Sequence, residues 1–126
     1  MPLVGNASTI PRHRTAMSRP ELSRPLRLAL DAGVLESSSC VFDYGCGRGD
    51  DLRGLEARGI RCFGWDPVYC PAGRREAADV VNVGYVVNVI EDPHERAQTL
   101  QEAWYYARKV LIVAARLHID TRGAHH

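Results

Sequence analysis

The stretch Cys40-Val41-Phe42-Asp43-Tyr44-Gly45-Cys46-Gly47-Arg48-Gly49-Asp50-Asp51-Leu52 decides the fold. It runs from an apolar segment of strand character, through three alternate glycines, into residues spaced for a helix, with Leu52 and Leu55 three apart. A glycine-rich turn at such a junction lets the backbone approach a ligand where a Cβ would collide or demand a forbidden dihedral. The glycines stand as G-x-G-x-G. Asp50 occupies the position at which the dinucleotide fingerprint G-x-G-x-x-G has its last glycine.

Working outward, the helix is expected to end near Gly59. Arg61-Cys62-Phe63-Gly64-Trp65-Asp66 reads as a second strand stopped by Pro67, so residues 40–66 form a βαβ unit with a right-handed crossover. Asp79-Val80-Val81-Asn82-Val83 is a third strand. Val110 to Ala115 is the last, and its unbroken apolar run predicts burial on both faces. Between these two lies the clearest helix, with Asp92 as cap, Pro93 in first position and Glu95 completing a capping box. Ala97, Leu100, Trp104 and Ala107 are its expected core stripe. Upstream, a short helix is capped by Ser23, takes Pro25 in its first turn, buries Leu26, Ala29 and Leu30, and ends at Gly33. Together these elements predict an α/β architecture. Its sheet is shortened, mostly parallel, ordered 2-1-3-4 and flanked by helices, with the switch point between strands one and three, where ligands bind in open sheets.

The charges at the turn narrow the ligand. Asp43, Asp50 and Asp51 would repel a pyrophosphate, whereas S-adenosylmethionine, with a sulfonium, an ammonium and no phosphate, suits an acidic turn. That and the glycine spacing disfavour an NAD-dependent oxidoreductase. Asp66, at the end of the second strand, can accept two hydrogen bonds from ribose hydroxyls; the alternative is that it caps a turn before Pro67. The paired Asp50-Asp51 either caps the helix or supplies one carboxylate, Asp51 in the site set, to hold the methionine ammonium. Tyr85 and Asn88, after the third strand, are the candidates to face a methyl acceptor, although Asn88 is equally a turn hydrogen-bonder. The exposed first-turn His94 is a poor general base.

Phe42-Asp43-Tyr44-Gly45-Cys46-Gly47-Arg48-Gly49 resembles motif I of class I S-adenosylmethionine-dependent methyltransferases, and Asp66 matches their ribose-binding acid. Arg12 to Arg19, Gly64-Trp65-Asp66-Pro67 and Gly84 to Asp92 are similar to the methyltransferases associated with bacterial DNA phosphorothioation systems, a likeness spanning Arg12 to Ala115. The resemblance implies a Rossmann-like three-layer sandwich and a cofactor site of Asp43, Tyr44, Gly45, Cys46, Gly47, Gly49, Asp51, Asp66 and Pro67. It supplies a cofactor, S-adenosylmethionine or its product S-adenosylhomocysteine, and no acceptor. Two departures stand out. The family resembles longer proteins, so residues 119–126 are expected to be a tail at a truncation point. Asp79 follows Asp66 by only 13 positions, too few for the helix and strand that usually intervene, which leaves Pro67, Val68 and Tyr69 to wall an adenine. A non-catalytic cofactor sensor or scaffold in a DNA-modification complex is the alternative to an enzyme.

The bulk numbers agree with one globular domain: 126 residues with 45% hydrophobic content, expected to cover residues 21–118 behind an arm at 1–20. No secretory leader or membrane span is legible, which predicts a cytoplasmic protein with no membrane partner. Cys40, Cys46, Cys62 and Cys70 lack metal-ligand spacing, so no metal is expected and reduced thiols are favoured. Net charge is +1 but uneven. Residues 1–30 carry five arginines against Glu21 for +4, and the remainder carries −3. A nucleic-acid partner would therefore meet the arginine-rich arm.

Overall fold

The computed structural model describes residues 21–84 and 91–114. Tyr85, Asn88, Arg12, Arg14, Arg19 and the expected tail lie outside the described residues. The elements are α1 (Arg24–Asp31), β1 (Cys40–Tyr44), α2 (Asp50–Ala57), β2 (Arg61–Trp65), β3 (Ala78–Gly84), α3 (Pro93–Tyr106) and β4 (Ala107–Ala114). The strands form one sheet in the order β2-β1-β3-β4, and every pairing is parallel. The expected order is realised, in an all-parallel sheet with helices on both sides.

Alternation along the central strands sorts the core into two halves. On one face Val41 and Val80 pack with Leu26 and Ala29 of α1, Leu55 of α2, and Leu22, Leu35 and Ile60 beside those helices. On the other, Phe42, Tyr44, Val81 and Val83 pack against Ala103 of α3. Asp43 and Asn82 follow Val41 and Val80 by two residues, so they point to the α1/α2 side. They are register partners across β1 and β3.

The short connection from β2 to β3 covers the sheet without a helix. Asp66 and Cys70 form an isolated antiparallel bridge, and the chain then runs past the aromatic rings of β2. The Arg74 guanidinium lies 4.5 Å from the Phe63 ring centre and that of Arg75 4.6 Å from the Trp65 ring. Planar guanidinium groups stack on aromatic faces, so two arginines and a strap of chain cover what a helix would otherwise cover. Arg75 also lies 3.9 Å from Glu102 of α3, and Glu102 accepts a hydrogen bond from the Tyr44 hydroxyl.

Three local expectations are corrected. The buried residue of α3 is Ala103, while Ala97 is exposed, Trp104 is 70% exposed and Ala107 opens β4. A small residue lets the helix approach the sheet closely, and Trp104, one residue on, is turned about 100° away. The Asp92 cap accepts from the His94 backbone N–H at 2.9 Å rather than from Glu95, so a simple cap replaces the box. β4 pairs only with β3 among the described residues, and Val113 is 47% exposed. Its apolar run therefore marks a half-covered edge strand.

Candidate functional site

The glycine turn joins the carboxyl end of β1 to the start of α2, beside the switch point where β1 pairs with β3. Gly45 and Gly47 hold φ values of +83° and +56°, a left-handed conformation that residues with a Cβ rarely adopt. The turn is pinned to β2: the backbone N–H groups of Gly45 and Cys46 donate to the Trp65 carbonyl at 2.7 and 3.0 Å. A Cβ at Gly64 would come within 2.7 Å of Leu52 Cδ1 and 2.8 Å of Cys46 Cβ. Gly64 is thus what allows β2 to lie so close under the turn. Gly73 in turn sits where a Cβ would meet the Gly64 carbonyl at 2.2 Å. A glycine inside a strand often marks such a close approach.

Asp66 fastens the opposite side. Its Oδ2 accepts from the Gly47 N–H at 2.8 Å, and its Oδ1 accepts from Val68 at 2.9 Å and Tyr69 at 3.0 Å. Burial acts to raise its pKa, but these three backbone donors outweigh it and hold the carboxyl below its ordinary value. A carboxylate offers about four acceptor positions. Three are in use, which leaves room for one ribose hydroxyl rather than the two expected, and Asp66 both caps its turn and braces the glycine loop. Pro67, Val68 and Tyr69 lie on the outer surface of this turn, and the Arg48 guanidinium lies 5.0 Å from the Tyr69 ring centre.

On the α1/α2 side the turn opens into a cavity of about 430 Å³. Among the described residues its lining comprises the turn residues Gly45, Cys46 and Gly47, the acidic residues Glu21, Asp43, Asp50 and Asp51, and one arginine, Arg48. Asp51 is engaged at both oxygens, accepting from the Ser23 N–H at 2.8 Å and the Ser23 hydroxyl at 2.7 Å. It does not cap α2, and two of its roughly four acceptor positions are in use; Ser23 thereby ties the chain before α1 to the cavity instead of capping α1 with its side chain. Asp50 pairs with Arg53. Both acids stand in the first turn of α2, where a phosphate would otherwise be attracted by the helix dipole. The cavity is thereby unfavourable for a pyrophosphate and favourable for a cation.

Asp43 and Asn82 form its innermost wall, 5% and 1% exposed respectively. Asn82 Nδ2 donates to Asp43 Oδ1 at 3.1 Å. Burial, and then the neighbouring charge of Asp51, push the Asp43 carboxyl up to about 7 against the opposing hydrogen bond from Asn82. Asn82 Oδ1 is buried without a hydrogen-bond partner among the described residues.

Of the residues expected at the site, Asp43, Gly45, Cys46, Gly47 and Asp51 are brought to the cavity, with Gly49 at the helix cap and Asp66 behind the turn. Tyr44 is not: its ring belongs to the opposite face of the sheet, where burial and the Glu102 bond hold its hydroxyl above the ordinary value. The Cys46 thiol is pushed up to about 11, first by burial and then by the charge of Asp43, so it is a protonated wall and no nucleophile. All four cysteines are unpaired. Ser23, Gly64, Gly73 and Asn82 are positions that the sequence did not assign to the site. The polar Asn82 within an apolar strand was the available signal. No helix among the described residues is long and apolar enough to cross a membrane. No family model, curated protein or solved structure matches the chain.

Proposed function

We propose that this chain is a Rossmann-like, S-adenosylmethionine-binding methyltransferase domain whose cofactor lies across the glycine turn. The observation that carries the reading is a conjunction at one place. A left-handed glycine loop stands at the switch point of a parallel sheet, is tied to an acid at the end of the next strand, and opens on a cavity with four carboxyl-bearing residues and one guanidinium. The amino-acid half of the cofactor, carrying its ammonium, is assigned to the cavity by Asp43. The nucleoside is assigned to the outer flank, with Asp66 accepting from a ribose hydroxyl and Tyr69 beside the base. Bound there, the cofactor supplies an electrophilic methyl group. The protein's own part is to fix the sulfonium in line with an acceptor and exclude water, and methyl transfer driven by such positioning needs no strong base.

The resemblance supplies no acceptor, and charge together with its link to DNA modification makes nucleic acid the acceptor class to test. The arginine-rich residues 1–20 are assigned the contact with nucleic acid, in keeping with a role in DNA modification. Incubation with S-[methyl-³H]adenosylmethionine and duplex DNA, with release of S-adenosylhomocysteine measured in parallel, tests the enzymatic reading. Label in DNA supports it. Tight cofactor binding with no turnover on DNA or protein acceptors would leave a sensor or scaffold module.

A further inference from the structure

Asn82 has two chemically different amide ends, and only one is engaged. With Asp43 ionised, Nδ2 donates to it and Oδ1 is left without a partner among the described residues. A buried unpaired acceptor costs free energy unless something donates to it, and Asn82 lines the cavity. With Asp43 protonated, the carboxyl O–H can donate to Oδ1, and the amide hydrogens become the unpaired end. Protonation of one side chain therefore reverses the polarity that its neighbour offers to the cavity.

We infer that Asn82 selects the ligand of this cavity: its free Oδ1 accepts a hydrogen bond from the ammonium of the bound molecule, and binding fixes Asp43 in its ionised form. This rests on the function proposed above and adds a recognition residue and a proton linkage to it. The groups facing Asp43 fit the scheme. Asp51 on α2, Asp66 after β2, and the thiols of Cys46 and Cys62 all oppose its ionisation or are opposed by it, and Asn82 on β3 is its hydrogen-bond donor. Glu21 and Asp50 share the cavity, and its guanidinium, Arg48, lies over Tyr69 at the rim. An incoming cation is thus the counter-charge that Asp43 lacks. The proton leaves Asp43 for solvent as the ammonium arrives, so charge within the cavity is conserved.

The test compares two ligands on the intact chain by calorimetry at pH 6, 7 and 8, in buffers of different ionisation enthalpy. S-adenosylhomocysteine carries the ammonium; 5′-methylthioadenosine has the nucleoside and sulfur without it. With Asp43 titrating at about 7, S-adenosylhomocysteine should bind about tenfold more tightly at pH 8 than at pH 6 and release about half a proton at pH 7. 5′-Methylthioadenosine should show neither effect. Asn82→Leu should weaken S-adenosylhomocysteine about tenfold, the size of one hydrogen bond to a charged group, and leave 5′-methylthioadenosine unchanged. If that variant does not fold, the comparison of ligands on the native chain decides alone. A pH-independent S-adenosylhomocysteine affinity, or equal weakening of both ligands in a folded Asn82→Leu, overturns the inference while the cofactor assignment stands. Failure of both ligands to bind the native chain overturns the cofactor assignment and the inference with it.

Discussion

Asp43→Asn should remove a pH dependence of stability that the free protein owes to this one buried carboxyl. In the folded chain Asp43 is 5% exposed and titrates at about 7, against an ordinary value of 3.8. The native state therefore binds its proton more tightly than the unfolded chain does. A raised carboxyl of this kind contributes stability that is fully present below the unfolded value and is lost as pH rises, until the group is ionised above about 7. Between pH 6 and pH 8 the protonated fraction falls from about ten in eleven to about one in eleven, which corresponds to a loss of about 1.4 kcal/mol. Asparagine keeps the shape and cannot ionise, so the variant should lack that slope. Urea denaturation at pH 6, 7 and 8 and constant ionic strength measures it, and the difference between the two proteins cancels the contributions of all other groups. Parallel profiles for the two proteins, within about 0.3 kcal/mol, would refute the claim that a buried Asp43 titrating at about 7 forms the cavity wall.

Three further outcomes are expected. Gly47→Val should abolish cofactor binding while circular dichroism still reports a folded chain. A Cβ there meets nothing within 4 Å and so points into open ligand space, and its left-handed backbone adds a strain of about 1–2 kcal/mol; normal binding would make the turn purely structural. Asp66→Ala should weaken S-adenosylhomocysteine binding by about 1–3 kcal/mol and also lower the melting temperature, because the same carboxylate holds three backbone N–H groups. A lower melting temperature with an unchanged dissociation constant would reduce Asp66 to a brace. Duplex DNA should bind no more tightly than about 10⁻⁴–10⁻⁶ M at physiological salt, with marked salt dependence, and deletion of residues 1–20 should abolish this; anisotropy unaltered by the deletion would remove the arm from the account.

The elements and the position of the glycine turn were legible because they rest on local signals, and the strand order followed from the right-handed crossover and switch point of a parallel sheet. Apolar strand runs, glycines at a strand–helix junction and a capped helix act over a few residues, and each recurs in the structure at nearly the expected bounds. Tertiary partners were not legible. Ser23 and Asp51 are 28 apart in sequence, and both carry ordinary capping chemistry, yet they satisfy each other and cap nothing with their side chains. Tyr44 adjoins Asp43 in the motif, but the two-residue period of a strand sends its ring to the other face. The aromatic residues of β2 gave no sign that Arg74 and Arg75 would cover them, because stacking across a strap depends on a path that the sequence does not encode locally. In Asn82 the signal was present: a polar side chain amid Val80, Val81 and Val83 must find a partner, and the register of β1 against β3 supplies it in Asp43.

Calorimetric titration of the chain with S-adenosylhomocysteine and with NAD is the most direct test of the central claim. S-adenosylhomocysteine should bind saturably and NAD not at all, because the pyrophosphate of NAD would meet Asp43, Asp50 and Asp51 beside the glycine turn. NAD binding as tight as that of S-adenosylhomocysteine, or tighter, would contradict that claim.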